Sequence, residues 1–116
     1  MTGVHELKIA SWNINSVRHR IHLLTRFLRE HQPDIVCLQE TKVVDDLFPA
    51  APLARLGYVH QAVHGQKAYH GVAVISRQPF KKAGGHDFCR EGHARHLAVE
   101  FESGLKLHNF YVPAGG

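Results

Sequence analysis

The sequence predicts an α/β fold, and three observations carry that expectation. Residues 6–39 run apolar segment, amphipathic helix, apolar segment, the order of a βαβ unit with a parallel strand pair. HLAVEF at 96–101 and LHNFYV at 107–112 flank a SGLK turn and read as a hairpin. The chain has 116 residues, 44% of them hydrophobic and 21% charged, which suits one globular domain and excludes a disordered chain.

Taken in order, ELKIASW at 6–12 reads as a strand and NINS at 13–16 as a turn cluster. Ser16 stands where its hydroxyl would cap the helix that follows. Val17, Ile21, Leu24 and Leu28 form one helical face, and the helix runs to about His31, stopping before Pro33. DIVCLQ at 34–39 is a nearly continuous apolar run, which suits a strand buried on both faces. Residues 41–57 lack a clean period and read as a loop with a short helix. YVHQAV at 58–63 alternates as a strand does, and HGQKAYHG at 64–71 reads as a loop. GVAVIS at 71–76 is a buried strand that Pro79 ends, and residues 83–94 read as a polar loop. One long helix cannot cover every apolar strand face. The second face therefore needs cover from further chain or from another molecule, and an uncovered face invites self-association.

Composition excludes several classes. No apolar run approaches the ~18 residues a membrane span needs, and MTGVHELK lacks the layout of a secretory signal. Cys37 and Cys89 cannot build a disulfide scaffold, so a reducing, cytoplasmic setting is expected. Cys37 reads as a small core residue and Cys89 as a loop thiol. Fourteen Lys and Arg against ten Asp and Glu give a net charge of +4, with eleven histidines besides, a balance that favours polyanionic partners. The histidines show no zinc-like spacing, and the glycines form no Walker or dinucleotide pattern.

Three clusters fall at expected strand ends, where open α/β sheets present their sites. They are Trp12-Asn13-Ile14-Asn15 with Arg18, Gln39-Glu40-Thr41-Lys42, and Tyr111 within FYVP. Parallel neighbours would set the Asn13 amide beside the Glu40 carboxylate, hard oxygen donors that suit Mg²⁺. Lys42 and Arg18 would favour a phosphate, and the Tyr111 hydroxyl could orient or protonate its oxygen. Each residue also has an ordinary reading: Glu40 as a solvated strand end, Asn13 as a turn former, Tyr111 as a packed ring with its hydroxyl at the surface.

IASWNINSVRHR, PDIVCLQETK, AYHGVAVISR and LHNFYVP, in that order and spacing, resemble the first half of the exodeoxyribonuclease III family of AP endonucleases. That family lies within the endonuclease/exonuclease/phosphatase superfamily. The resemblance implies part of a four-layer α/β sandwich, with residues 1–116 as a partial domain whose C-terminal half is absent. It implies Mg²⁺-dependent phosphodiester hydrolysis (Mn²⁺ as a possible substitute) on double-stranded DNA, at abasic sites or 3′ ends, as in base excision repair. By the same resemblance Glu40 matches the metal-binding glutamate, Asn13 the active-site asparagine beside it, and Tyr111 the catalytic tyrosine. Arg18, Lys42 and Tyr69 match positions on the DNA-binding side. The resemblance also has gaps. The family's Gly-Asp-x-Asn and Ser-Asp-His blocks do not occur, and Asp34, Asp45, Asp46 and Asp87 lie in other contexts. Ala114 stands where the family carries a polar residue after Tyr-x-Pro. The expectation is therefore an incomplete site, inactive as this chain alone. Its alternatives are another phosphoesterase of the superfamily and a non-catalytic DNA-binding half-domain.

Overall fold

A computed structural model describes residues 6–65, 70–84 and 96–110. Strand β1 (Ile9–Asn13) leads through a turn to helix α1 (Ile21–His31) and strand β2 (Ile35–Gln39). A 3₁₀ turn (Asp45–Leu47) and helix α2 (Ala50–Arg55) follow, then β3 (His60–His64) and β4 (Val72–Ser76). β5 (Phe80–Gly84), β6 (His96–Phe101) and β7 (Lys106–Phe110) complete the described elements. The first sheet has the order β1-β2-β4-β3 and the second β5-β6-β7. The expected parallel pair is present, with Asn13 opposite Gln39 at its carboxyl end. β6 and β7 form the expected antiparallel hairpin.

All five residues of β2 and all five of β4 are buried. Their alternation divides them between two cores. Val36, Leu38, Ala73 and Ile75 face Leu24, Leu28 and Leu53 of the two helices. Ile35, Cys37, Val72 and Val74 face Leu97, Val99 and Phe101 of the second sheet. Each fully buried aliphatic side chain contributes about 1.5–3 kcal/mol. These layers are why both strands read as continuous apolar runs. β1, at the sheet edge, is only partly covered: Ile9 is 46% exposed. Among the described residues no helix is long and apolar enough to cross a membrane.

The structure corrects the sequence reading at two elements. Helix α1 begins at Ile21 with Arg20 at its cap position and no side-chain cap there, four residues later than expected; Ser16 does cap the turn that leads into it, its Oγ accepting from His19 N–H at 3.4 Å. The same turn is held by tertiary bonds as well, since Ser16 N–H donates to Glu40 O (2.8 Å) and Val17 N–H to Thr41 O (3.1 Å). Val17 is still fully buried, which is why it matched the helical face. At the other end the expected stop is found: Gln32 adopts a left-handed conformation and its N–H donates to Leu28 O (3.0 Å). The second correction is β5, whose Ala83 and Gly84 fall in the expected polar loop; residues 85–94 of that loop, Cys89 among them, lie outside the described residues. The burial of β5 shows no strand-like alternation, and pairing with β6, not local pattern, makes it a strand.

Candidate active site at the strand ends

The site is built where β1 and β2 end side by side. Asn13 is the last residue of β1, and Glu40 follows the last residue of β2. Asn13 Nδ2 donates to Glu40 Oε2 at 2.5 Å, which leaves Asn13 Oδ1 as the remaining acceptor of that amide. Lys42 Nζ lies 3.8 Å from Glu40 Oε1 and donates to Asn15 Oδ1 at 2.6 Å. The half-buried carboxylate is thus held from both sides, by a neutral amide and by an ammonium.

Three loops are laid against one another to achieve this. Thr41 N–H donates to Gly71 O (3.1 Å) and Lys42 N–H to His70 O (2.8 Å), beside the Ser16 and Val17 bonds to the same loop. Asn15, Ser16, Glu40, Lys42 and His70 all have positive φ, between 49° and 81°. The one other non-glycine residue of this kind among the described residues is Gln32, at the helix end. Such conformations cost of order ~1–3 kcal/mol each and persist only where surrounding structure imposes them, as it often does at functional sites. Gly71, at φ +94°, is required by contact as well: a Cβ there would lie 2.2 Å from Thr41 Oγ1.

Beside the pair, Asn15, Ser16, Arg18, His19, Arg20 and Lys42 line an open hollow of about 400 Å³. Two arginines and a lysine give it positive character, suited to a phosphate backbone. The structure therefore sets Asn13 and Lys42 against Glu40, and Arg18 lines the adjoining hollow with Lys42. Tyr111 and Tyr69 lie outside the described residues; in the chain they adjoin Phe110 and His70 respectively. His19 and Arg20 were missed as lining residues. They follow Arg18 in a basic triplet, and that run was the available signal.

Elsewhere among the described residues the chemistry is muted. Cys37 is buried between the sheets, and burial pushes its thiol up to about 11, so it is a poor nucleophile near neutral pH. Burial likewise raises Tyr58, whose hydroxyl donates to Pro33 O at 2.5 Å. Among the described residues no group of three or more His, Cys, Asp or Glu is placed to hold a metal ion. Among the described residues, the paired oxygen donors at the strand ends are Glu40 and Asn13, with Asn15 Oδ1 taken up by Lys42.

Two stacked sheets, helices on one outer face and a carboxylate–amide pair at the carboxyl ends of parallel strands define a sandwich-type α/β protein with a strand-end site. The chain belongs to the Endonuclease/Exonuclease/phosphatase family, which it matches over residues 10–113. It is 44% identical over 72 residues to exodeoxyribonuclease III of Haemophilus influenzae, covering 62% of this chain and 27% of that protein. In structure it is similar to an AP endonuclease from Archaeoglobus fulgidus, with a TM-score of 0.86 and 37% identity, over 95% of this chain and 42% of that one. It is similar also to a 3′ phosphatase from Neisseria bound to a product DNA hairpin, with a TM-score of 0.82 and 34% identity, over 91% of this chain and 41% of that one. The chain thus spans well under half the length of each of these relatives.

Proposed function

We propose that this chain supplies the metal-binding end and part of the DNA-binding surface of a Mg²⁺-dependent DNA phosphodiester hydrolase of the exodeoxyribonuclease III and AP endonuclease kind. The observation that carries the reading is the Asn13–Glu40 pair seated beside the basic hollow. The donor chemistry fits Mg²⁺ or Mn²⁺: one carboxylate and one amide oxygen, both hard, with remaining positions left to water. A bound ion would neutralise charge developing on the phosphate. The chain's own residues do the rest. Asn13 fixes the Glu40 carboxylate, and Lys42 holds its other oxygen while adding positive charge toward the phosphate. Arg18, with His19 and Arg20, draws the backbone of double-stranded DNA carrying an abasic site or a 3′ end. Tyr111 and Tyr69 complete the proposed set, as a catalytic hydroxyl and a DNA contact.

The reading includes incompleteness. Residues 1–116 form the first part of a larger domain, and the water-activating aspartate and phosphate-contacting histidine of the resemblance have no counterpart here. Losing either kind of group costs on the order of 10²–10⁴ in rate. The exposed Ile9 and Phe110 support self-association of the isolated chain through uncovered sheet surface. A cytoplasmic setting remains part of the proposal, and the buried free thiol of Cys37 is compatible with it.

The test is incision of an end-labelled duplex carrying one abasic analogue, with Mg²⁺, with EDTA, and with Glu40→Gln. The expected result for the 116-residue chain is salt-sensitive duplex binding without incision. A longer chain containing these residues should incise with Mg²⁺ and lose about 10²-fold or more in the Glu40→Gln variant. Full incision by Glu40→Gln would overturn the reading. Binding that survives Mg²⁺ removal, with no incision in any form, would favour the non-catalytic DNA-binding half-domain, as does the presence of one carboxylate at the site among the described residues. Hydrolysis of lipid or inositol phosphates with DNA untouched would favour another phosphoesterase of the superfamily.

A further inference from the structure

A chain of buried amides runs behind the strand-end site, and nothing in the site's own chemistry calls for it. Asn109 on β7 is 2% exposed although its neighbour Phe110 is 51% exposed. Its Nδ2 donates both hydrogens, to Leu38 O (2.9 Å) on β2 and to Ala73 O (2.8 Å) on β4. Leu38 and Ala73 are paired across the two strands, so the amide sits astride their seam. Its Oδ1 accepts from Gln39 Nε2 at 2.8 Å. Gln39 Nε2 donates in turn to Ser11 Oγ on β1 at 3.0 Å. One hydrogen-bonded path therefore joins β4, β7, β2 and β1 and ties the second sheet to the first.

Its placement is informative. Ser11 stands two residues before Asn13, Gln39 one residue before Glu40, and Asn109 two residues before Tyr111. The backbone of Gln39 also accepts from Ile14 N–H at 3.0 Å, so main-chain and side-chain networks meet immediately before the strained Glu40, at φ 53°. A buried amide whose hydrogen bonds are all made fixes relative position more sharply than an apolar residue of the same size, because any slip leaves donors or acceptors unpaired.

We propose that Asn109 is a positioning residue, which sets the Asn13–Glu40 pair through Gln39 and Ser11 and anchors the strand that leads into Tyr111. The proposal rests on the functional reading above for what the pair does, but not for the coupling itself. The test reads the pair directly, by hydrogen exchange of the Asn13 side-chain amide in NMR spectra of the 116-residue chain. Asn109→Leu keeps the volume and removes the bonds. Exchange of Asn13 Nδ2 should quicken about tenfold, the loss expected for one hydrogen bond, while backbone amides of β2 and β4 stay protected. Ser11→Ala, at an exposed side chain, should move Asn13 in the same direction without disturbing the core. A purely structural Asn109 would lower protection everywhere in proportion and leave Asn13 no worse than its neighbours, and that result overturns the proposal. If Asn109→Leu does not fold, an unchanged Asn13 in Ser11→Ala overturns it alone. Failure of the functional reading shows separately, as Mn²⁺ binding that Glu40→Gln leaves intact.

Discussion

At one end of the four-stranded sheet, the loops beyond β1 and β2 hold Asn15, Ser16, Glu40 and Lys42 in left-handed conformations around a polar, open hollow. At the other end, Pro33, Asp34 and Tyr58 close into a bonded corner. Tyr58 is fully buried, its hydroxyl is bound to Pro33 O, and the Arg77 guanidinium lies 5.0 Å from its ring centre. Asp34 Oδ2 accepts from Lys8 N–H at 2.8 Å, and Asp34 O accepts from Arg77 N–H at 3.0 Å. The same strands thus end in a polar edge with several left-handed residues on one side and, on the other, a fully bonded corner whose one left-handed non-glycine residue is Gln32 at the helix end. The contrast shows where the fold draws its stability and where it tolerates a cost to hold side chains in place.

The largest expected effect lies at the corner. Tyr58→Ala should destabilise by about 3–5 kcal/mol, the range for emptying a buried aromatic site. Chemical denaturation would measure the loss. At temperatures where the variant is folded, its duplex affinity should match wild type. An equal loss of affinity would mean that the two ends are not independent.

An intermediate effect is expected from pH, through the strand that joins the ends. The Cys37 thiol titrates near 11 when folded and near 9 as its ordinary value. Below the lower value it is protonated in both states and adds no pH dependence. As pH rises from there to the upper value the unfolded chain releases its proton first, so stability falls. The loss is complete at about 2–3 kcal/mol above the folded value. Cys37→Ala should flatten this part of a stability-versus-pH curve, and an unchanged slope would remove the thiol as its cause.

The smallest effect isolates the strain itself. Lys42→Ala and Lys42→Gly both remove the ammonium beside Glu40, but only glycine is at ease at φ 56°. Lys42→Gly should be the more stable of the two by about 1 kcal/mol, with the same loss of DNA affinity in both. Thermal melts of the pair measure this difference. Equal stabilities would mean that the loop relaxes its backbone and holds no strain at that position.

How far the sequence could be read depended on the range of the force involved. The face formed by Leu24 and Leu28 and the helix stop before Pro33 are written in local spacing and propensity, and both were legible. Asn13 and Glu40 were legible too, because a parallel pair of nearly equal strands must bring its ends together. The start of α1 was not, since Ser16 and Val17 are bonded to a loop 24 residues further on. Nor was the burial of Asn109. Residues 107–110 read Leu-His-Asn-Phe, and the structure turns Leu107 and Asn109 inward while Phe110 faces out.

By itself the sequence determined the α/β class, the βαβ opening, the two buried strands, and the family to which WNIN, LQETK and YVP point. Those features follow from periodicity and from residue types at set spacings, which act over a few residues. Only the tertiary structure decided that FKKAG becomes a strand, that three loops bend against their preferences around Glu40, and that an amide on the second sheet locks the end of the first. Each of those depends on a partner surface distant in sequence, whose hydrogen bonds and buried area outweigh what the local chain would prefer.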